Sequence, residues 1–546
     1  MCGFVGYQGS ESLQVLDKHF SKIGHRGPDR TSFEEFSRGM LPFFKSKPRT
    51  VLWFHRLAIN GLDEASGQPM NLKLKGLDKL WLVCNGEIYN YKKLAKKYKL
   101  DLKTNSDCEV ILHMFAKLGL NRTCQELDGV FAFCIYDETS GTMYSARDRY
   151  GVRPSFYGTS KDTVMISSEV KAIVGLAEEV QHFPPGTWWS SETPQSFYNY
   201  FETEYSVTRE QLNFDDVKTE VRKRLTEAVR KRLMSDREIG CLLSGGLDSS
   251  LIASLVNNLS SKTVKTFSIG MSGSPDVAYA QKVADWIGSD HHVVNASAED
   301  FVNAVREVIY AIESYDTTTV RASVGNYLVA KYIRENTDVK VVFNGDGSDE
   351  VCMGYLYNLN APSDEEFFQE NLKLLREIHI YDVLRSDRSV SSHGLEARTP
   401  FLDRDFVDYY MTVPIEMKRF GGEVPEKNLL RRAFDESELL PPEILNRTKC
   451  AFSDAVSTRE NSWHKIIQQH VDSQVTDDEF EKNRSRIIPC TPVLKESYYY
   501  RKVFEELFGK SAAKLIPHFW MPNWSDVQDP SARELSTYQE DNVTED

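Results

Sequence analysis

The chain lacks any apolar run long enough to span a bilayer. Its start, MCGFVGYQGS, has neither a basic opening nor a long apolar segment, so no secretory signal is expected. Cysteine is scarce. The nine residues are Cys2, Cys84, Cys108, Cys124, Cys134, Cys241, Cys352, Cys450 and Cys490. Their number is odd and no Cys-x-x-Cys occurs. That argues against a disulfide frame and a thiolate zinc site, and for reduced thiols in a cytoplasmic protein. A basic excess is also missing: 80 acids face 66 bases, for a net charge of −14. This argues against a nucleic-acid surface spread over the chain, though not against a local basic pocket. There is no internal repeat and no low-complexity tract; only the terminal YQEDNVTED reads as a solvated acidic tail. The Gly245-Gly246 turn is not followed by Gly-Lys-Ser/Thr, so it is not a Walker A loop.

At 546 residues the chain is too long for one ordinary core, and two or more domains are expected. The most telling stretch is EIGCLLSGGLDSS, Glu238 to Ser250. Ile239 to Leu243 is an apolar run suited to a buried parallel strand. The chain turns at Gly245 and Gly246, then resumes a helical pattern at Leu247. Strand, glycine turn and helix start aim free backbone N–H groups and a positive dipole end at one point, which is a phosphate site. Asp248 would suit a magnesium ion riding on the phosphates. A plain strand-to-helix turn is the bland alternative; flanking serines and the acid favour phosphate. The string resembles the pyrophosphate loop of the ATP pyrophosphatases.

Cys2 sits beside Met1, in a context that usually allows Met1 to be removed. Cys2 would then carry a thiol and an α-amine of pKa about 7.7–8.0, nucleophile and base in one residue. Alone, MC would read as a buried cysteine near a terminus. The following strings change that: GHRGPD (Gly24 to Asp29), FHRLAIN (Phe54 to Asn60), GQPM (Gly67 to Met70), LVCNGEIYN (Leu82 to Asn90) and TNSDCEVIL (Thr104 to Leu112). Arg56 lies in a strand-like run, and Asp107 near a helix start. Asn85-Gly86 reads as the end of a strand, either an oxyanion hole or a hairpin turn. With LDGVFAFCIYD, ARDRYGVRP, SSEVKAI and FPPG, these strings resemble the class II glutamine amidotransferase domain from Cys2 to about Gly186. Val152 and Arg153 stand where that family more often has isoleucine and lysine. The resemblance implies that Cys2 attacks the glutamine amide and that Asn85 and Gly86 hold the oxyanion. Arg56 would clamp the α-carboxylate, Glu87 and Asp107 would bind the α-ammonium, and Leu57, Ala58, Ile59 and Asn60 would line the site. The family fold is an αββα antiparallel sandwich, in keeping with the short apolar runs and turns over residues 1–190.

Periodicity fades from about Thr187 to Asp216, where the domain junction is placed: 1–205 and 206–546. Val217, Val221, Leu225, Val229 and Leu233 then mark a helix. Strand and helix patterns alternate through VKTFSIGM, DVAYAQKVADWIG, HHVVNA and VKVVFNGDGSDE, which argues for a doubly wound parallel sheet, α/β in class, with helical additions. SGGLDSS, FSIGMSGSPD, ESYDTTTVRAS, GDGSDE, GLEARTPFLD, RTKCAFSD and DPSAR together resemble the glutamine-hydrolysing asparagine synthetases over nearly the whole chain.

That resemblance implies ATP and Mg²⁺, with aspartate and glutamine as the other small-molecule partners, and no nucleic acid or membrane. It also implies an internal ammonia tunnel between the domains; the assembly, a homodimer included, is left open. Ser244, Gly245, Gly246, Asp248, Ser249 and Ser250 would cradle pyrophosphate, and Asp248 and Asp349 would hold Mg²⁺. Leu242, Ile269, Asn344 and Gly345 would contact adenosine; Arg321, with Thr318 and Thr319, and Lys449 would neutralise developing charge. One departure stands out. The family loop usually reads SGEGSDE, whereas here Asn344 replaces the serine and Asp346, shorter by a methylene, replaces the glutamate thought to matter for adenylate formation. Two other readings stay open: a related synthetase acting on another carboxylate, and a weakened regulatory or scaffold protein.

Overall fold

The computed structural model describes residues 1–37, 49–73, 79–208, 210–449, 451–458 and 460–535; Cys450 and the acidic tail lie outside them. Alternating apolar residues build the first half. Its strands are β1 (Gly3–Gly9), β2 (Arg30–Ser37), β3 (Arg49–Arg56), β4 (Met70–Lys73), β5 (Lys79–Ile88) and β6 (Gly129–Asp137). They continue with β7 (Thr142–Arg147), β8 (Phe156–Ser160), β9 (Thr163–Ser167), β10 (Glu179–His182), β11 (Thr187–Ser190) and β12 (Phe197–Asn199). Two six-stranded antiparallel sheets result, in the orders β10-β8-β9-β1-β3-β2 and β12-β11-β7-β6-β5-β4.

Strand period 2 divides the side chains between faces. Phe4, Leu52 and Phe54 of the first sheet meet Val83, Ala132 and Cys134 of the second in one apolar layer. Val5, Tyr7 and Trp53 turn outward against α1 (Leu13–Phe20). Leu82, Phe133 and Ile135 turn the other way, toward α2 (Tyr91–Tyr98), α3 (Glu109–Leu118) and α4 (Leu120–Glu126). This is an αββα sandwich. Residues 187–199, read as the start of the junction, instead give β11 and β12, which finish the second sheet on β7.

In the second half α5 (Phe214–Arg232) buries Val217, Val221, Leu225 and Val229, the spacing seen in the sequence. Then come β13 (Ile239–Leu242), α6 (Leu247–Leu259), β14 (Lys265–Gly270), α7 (Pro275–Ile287), β15 (Asp290–Asn295), α8 (Ala298–Ile312), α9 (Thr317–Asn336) and β16 (Val341–Phe343). α10 (Ser348–Cys352), α11 (Asp364–Glu377), α12 (Asp382–Ser391) and β17 (Glu396–Arg398) follow, and further helices run on to residue 534. The five strands are all parallel, in the order β15-β14-β13-β16-β17. The order reverses between β13 and β16, so both glycine loops open at the topological switch point, where such sheets bind ligands. Among the described residues no helix is long and apolar enough to cross a membrane.

Buried charges join the two halves. Arg26 Nη1 reaches Glu169 at 2.7 Å and Asp387 at 2.8 Å. Lys171 pairs with Glu169 at 2.6 Å and Glu313 at 3.2 Å, and Arg388 with Glu313 at 2.5 Å. Arg398 meets Glu396 at 2.9 Å and Glu87 at 3.6 Å.

Candidate active sites

Two sites form, one in each half. In the first, the register that sets Gly3 opposite His55 brings Cys2 level with Arg56. Leu57 N donates to Cys2 Sγ at 3.4 Å, and the thiol points to the Leu57 carbonyl at 3.5 Å. Burial pushes the thiol up to about 11, with the Glu87 and Glu396 carboxylates adding to the rise. The Met1 ammonium donates to Leu395 O at 2.9 Å, and burial lowers it to about 5. While Met1 is attached, the nitrogen of Cys2 is an amide nitrogen and cannot act as a base.

Asn85-Gly86 is neither a strand end nor a turn. β5 runs on to Ile88, with Asn85 opposite Ala132 and Gly86 opposite Phe131. The unbroken pairing with β6 outweighs the local turn preference of Asn-Gly. Asn85 and Glu87 therefore project from one face of the strand. Asn85 is buried, and among the described residues neither atom of its amide has a hydrogen-bond partner. Such an orphan costs about 1–3 kcal/mol, which leaves the amide free to donate to a group placed beside it.

Glu87 accepts from Asn60 Nδ2, and Asp107 Oδ2 accepts from Ile88 N at 2.6 Å. Burial, and then Glu396, raises Asp107 to about 6 and Glu87 well above the carboxylate range. Two buried carboxylates held this high present a site that a cation would relieve. The Arg56 guanidinium donates to the carbonyls of Gly61 and, at 3.1 Å, Asp63; among the described residues it pairs with no carboxylate. The loop Leu57–Asn60 is pinned from several sides. Ala58 N donates to Asp29 at 2.9 Å, Arg237 Nε to Ala58 O at 2.9 Å, and Asp236 N to Ile59 O at 3.0 Å. Arg237 stands two residues before β13, so the Leu57–Asn60 loop is tied to the strand that feeds the second site.

The second site is a cavity of about 220 Å³ at the switch point. Leu242, Ser244, Gly246, Asp248, Ser249, Ile269, Thr318, Thr319, Asn344, Gly345, Asp346, Asp349 and Lys449 all line it. Gly245 does not, but its backbone has φ +73°, and a Cβ there would lie 2.5 Å from Ala280 N, so the turn requires glycine. Ser250 is buried beneath the loop, its hydroxyl without a partner among the described residues. Ser244 N and Oγ both meet Ser249 Oγ, at 3.1 and 2.9 Å, which closes the turn over the α6 N-terminus. Among the described residues no side chain caps that helix end.

Asp248 and Asp349 converge on one cation. Lys427 Nζ lies 2.5 Å from Asp248 Oδ2 and 2.7 Å from Asp349 Oδ1. Lys449 holds the other Asp349 oxygen. These ammonium groups keep Asp349 below the usual carboxylate range despite its burial, and Asp349 and Asp248 in turn raise Lys449. Asp346 takes Asn344 Nδ2 at 2.8 Å and Arg385 Nη2 at 3.3 Å.

Arg321 is not brought to this cavity. Its Nε donates to Glu496 at 2.8 Å, Nη2 also faces Glu496, and the guanidinium meets Asp529 at 2.7 and 2.9 Å. Both carboxylates come from the C-terminal segments, and the fork is filled by protein. Lys427, Arg385 and Asp382 line the cavity but escaped the sequence reading. A single lysine or arginine in an ordinary stretch carries no local mark. Only the acidic spacing of Asp346 and Asp349 hinted that cations must sit opposite.

A family model described as "Glutamine amidotransferase domain" matches residues 1–219, and one described as "Asparagine synthase" matches residues 220–373 and 360–528. A curated protein of Gallus gallus, "Asparagine synthetase [glutamine-hydrolyzing]", is 42% identical over 571 residues, covering 99% of both chains. Proteins of the same description from Pongo abelii (43% over 575 residues) and Homo sapiens (42% over 571 residues) likewise cover 99% of each chain. An N-terminal cysteine in an antiparallel sandwich and an ATP-type cavity in a parallel sheet thus occur in one chain matched end to end, and the chain belongs to the glutamine-hydrolysing asparagine synthetase family.

Proposed function

We propose that the protein converts aspartate to asparagine, taking nitrogen from the glutamine side chain and energy from ATP, which is split to AMP and pyrophosphate. The single observation that carries this reading is the end-to-end family match of a chain in which both sites are present. Residues 1–205 form the glutaminase part and 206–546 the synthetase part, in a cytoplasmic enzyme whose described cysteines are free.

In the first part the Cys2 thiol, its proton taken by the Cys2 amine once Met1 is gone, attacks the glutamine δ-carbon. Asn85 Nδ2 and Gly86 N stabilise the oxyanion. Ammonia leaves, and water hydrolyses the thioester to glutamate. Arg56, free of carboxylate partners among the described residues, suits the α-carboxylate; Glu87 and Asp107 suit the α-ammonium. In the second part a β-carboxylate oxygen of aspartate attacks the α-phosphorus of ATP and pyrophosphate leaves. Ammonia then attacks the acyl carbon and AMP leaves. Ser244, Gly246, Asp248 and Ser249 with the α6 N-terminus suit the phosphates; Leu242, Ile269, Gly345 and the backbone of Asn344, whose side chain is turned to Asp346 and Ser386, suit the nucleoside.

Asp248 and Asp349 already share one cation position, and their oxygens fit a hard divalent ion. Mg²⁺ held by these two carboxylates would supply charge neutralisation to the phosphates. Lys427 and Lys449 add fixed positive charge on the same side.

The test is to incubate the full chain with glutamine, ATP, Mg²⁺ and aspartate labelled with ¹⁸O in its β-carboxylate. Asparagine, glutamate, pyrophosphate and AMP carrying one ¹⁸O are expected. ADP as product, unlabelled AMP, or preference for another acid would overturn the reading.

A further inference from the structure

The loop after β16 carries two residues whose side chains meet. Asn344 Nδ2 donates to Asp346 Oδ2 at 2.8 Å and to Ser386 Oγ at 2.6 Å, and Asn344 Oδ1 accepts from Asp346 N at 3.3 Å. One amide thereby fixes both the backbone and the carboxylate of Asp346. On the far side Arg385 Nη2 holds Asp346 Oδ1 at 3.3 Å and also pairs with Asp382 at 3.2 Å. Arg385, Ser386 and Asp382 all belong to α12. The carboxylate is therefore braced from its own loop and from a separate helix, at the cavity wall.

A serine at position 344 could not do this. Its hydroxyl ends one bond beyond Cβ and has a single proton, so it could not span to both Asp346 and Ser386. A short acid at position 346 needs the longer amide at 344 to aim it.

We infer that Asn344 is a positioning residue for Asp346: its amide brings the shorter carboxylate to the place from which it acts in adenylate formation. The inference rests on the reading that Asp346 serves that step.

The experiment compares the wild-type chain with Asn344→Ser, Asp346→Glu and the double variant. The readouts are pyrophosphate release with saturating ammonia, ATP and aspartate, and the KM for ATP. Asn344→Ser should lower kcat about 10- to 100-fold, the cost of misplacing a catalytic group by about an ångström. Its KM for ATP should hold. Asp346→Glu alone should also lose rate, because the longer acid runs into the amide. The double variant should be faster than either single one, a non-additivity that independent sites do not show. Asn344→Asp, of equal size but lacking the amide donor, should reproduce the loss, which separates positioning from collapse of the loop.

A rise in the KM for ATP with unchanged kcat would make Asn344 a nucleotide contact and overturn the inference. So would a double variant whose loss is the product of the single losses. If the wild-type chain releases no pyrophosphate, the function itself fails; if it does and the variants are additive, only this inference fails.

Discussion

Gly345 is the point at which the two glycine loops touch, and replacing it with alanine tests whether their separation matters. A Cβ at this position meets Asp248 Cβ at 2.8 Å and Ser249 N at 2.9 Å. Ordinary contact begins near 3.4 Å, so the loops must part by about 0.6 Å. No rotamer relieves the clash, because the atoms met are backbone or Cβ. Asp248 cannot drift freely either, being held by Ser348 Oγ at 2.8 Å and by Lys427. An ångström of misplacement costs on the order of 10² in rate, so Gly345→Ala should slow ammonia-supported pyrophosphate release by roughly 10- to 100-fold. The overpacking itself costs about 1–3 kcal/mol of stability, too little to unfold a chain of this size. Glutamine hydrolysis uses separate elements and should stay within about twofold. Both rates are measured on one preparation, glutamate by coupled oxidation and pyrophosphate by a phosphatase-linked assay. An unchanged pyrophosphate rate would show that the loop contact is slack. An equal fall in both rates would show that the damage is global.

Cys2→Ala should abolish glutamine-supported synthesis and leave ammonia-supported synthesis intact; asparagine formed from glutamine by this variant would remove Cys2 from its role. Burial holds Asp107 at about 6, so it is a carboxylate only above that pH. The folded value lies above the unfolded value of about 3.9; stability therefore falls as pH rises through this window, and the cost is complete above it. Glutamine binding moves the opposite way: its KM should climb as pH falls through 6, and Asp107→Asn should have a high KM with no such inflection. Arg398→Met strips Glu396 and Glu87 of a buried partner and should cost about 3–5 kcal/mol, read as a lowered Tm. A loss under about 1 kcal/mol, typical of exposed pairs, would mean that the network is dispensable.

What the sequence disclosed was local in nature. The strand, turn and helix of Ile239–Leu259 are specified by residues within one another's reach, and they stand where the pattern put them. The alternation of strands and helices after residue 238 likewise reports a parallel sheet, because each crossover needs its own helix. Asn85-Gly86 misled because its dipeptide preference is local, whereas the cross-strand pairs that override it come from β6, more than 40 residues away. Arg321 stands away from the cavity because its partners, Glu496 and Asp529, reach it from 175 and 208 residues along the chain, beyond any local pattern. Lys427 was invisible for the same reason: it closes on Asp248 from 179 residues along the chain. Lone cations acquire meaning only from the anions that folding brings to them.

The burial of Met1 makes the order of events matter for any later removal of it. Met1 is 1% exposed, its amine on Leu395 O and its sulfur accepting from Arg153, which also reaches Ala397 O. The part of the chain that covers it is thus made some 394 residues later. At ordinary rates of synthesis that interval is on the order of 20–80 s. Any removal of Met1 is sterically easiest before that segment closes over it. A molecule that closes with Met1 still attached would keep its ATP site but have no base at Cys2, and would live on whatever free ammonia its surroundings supply.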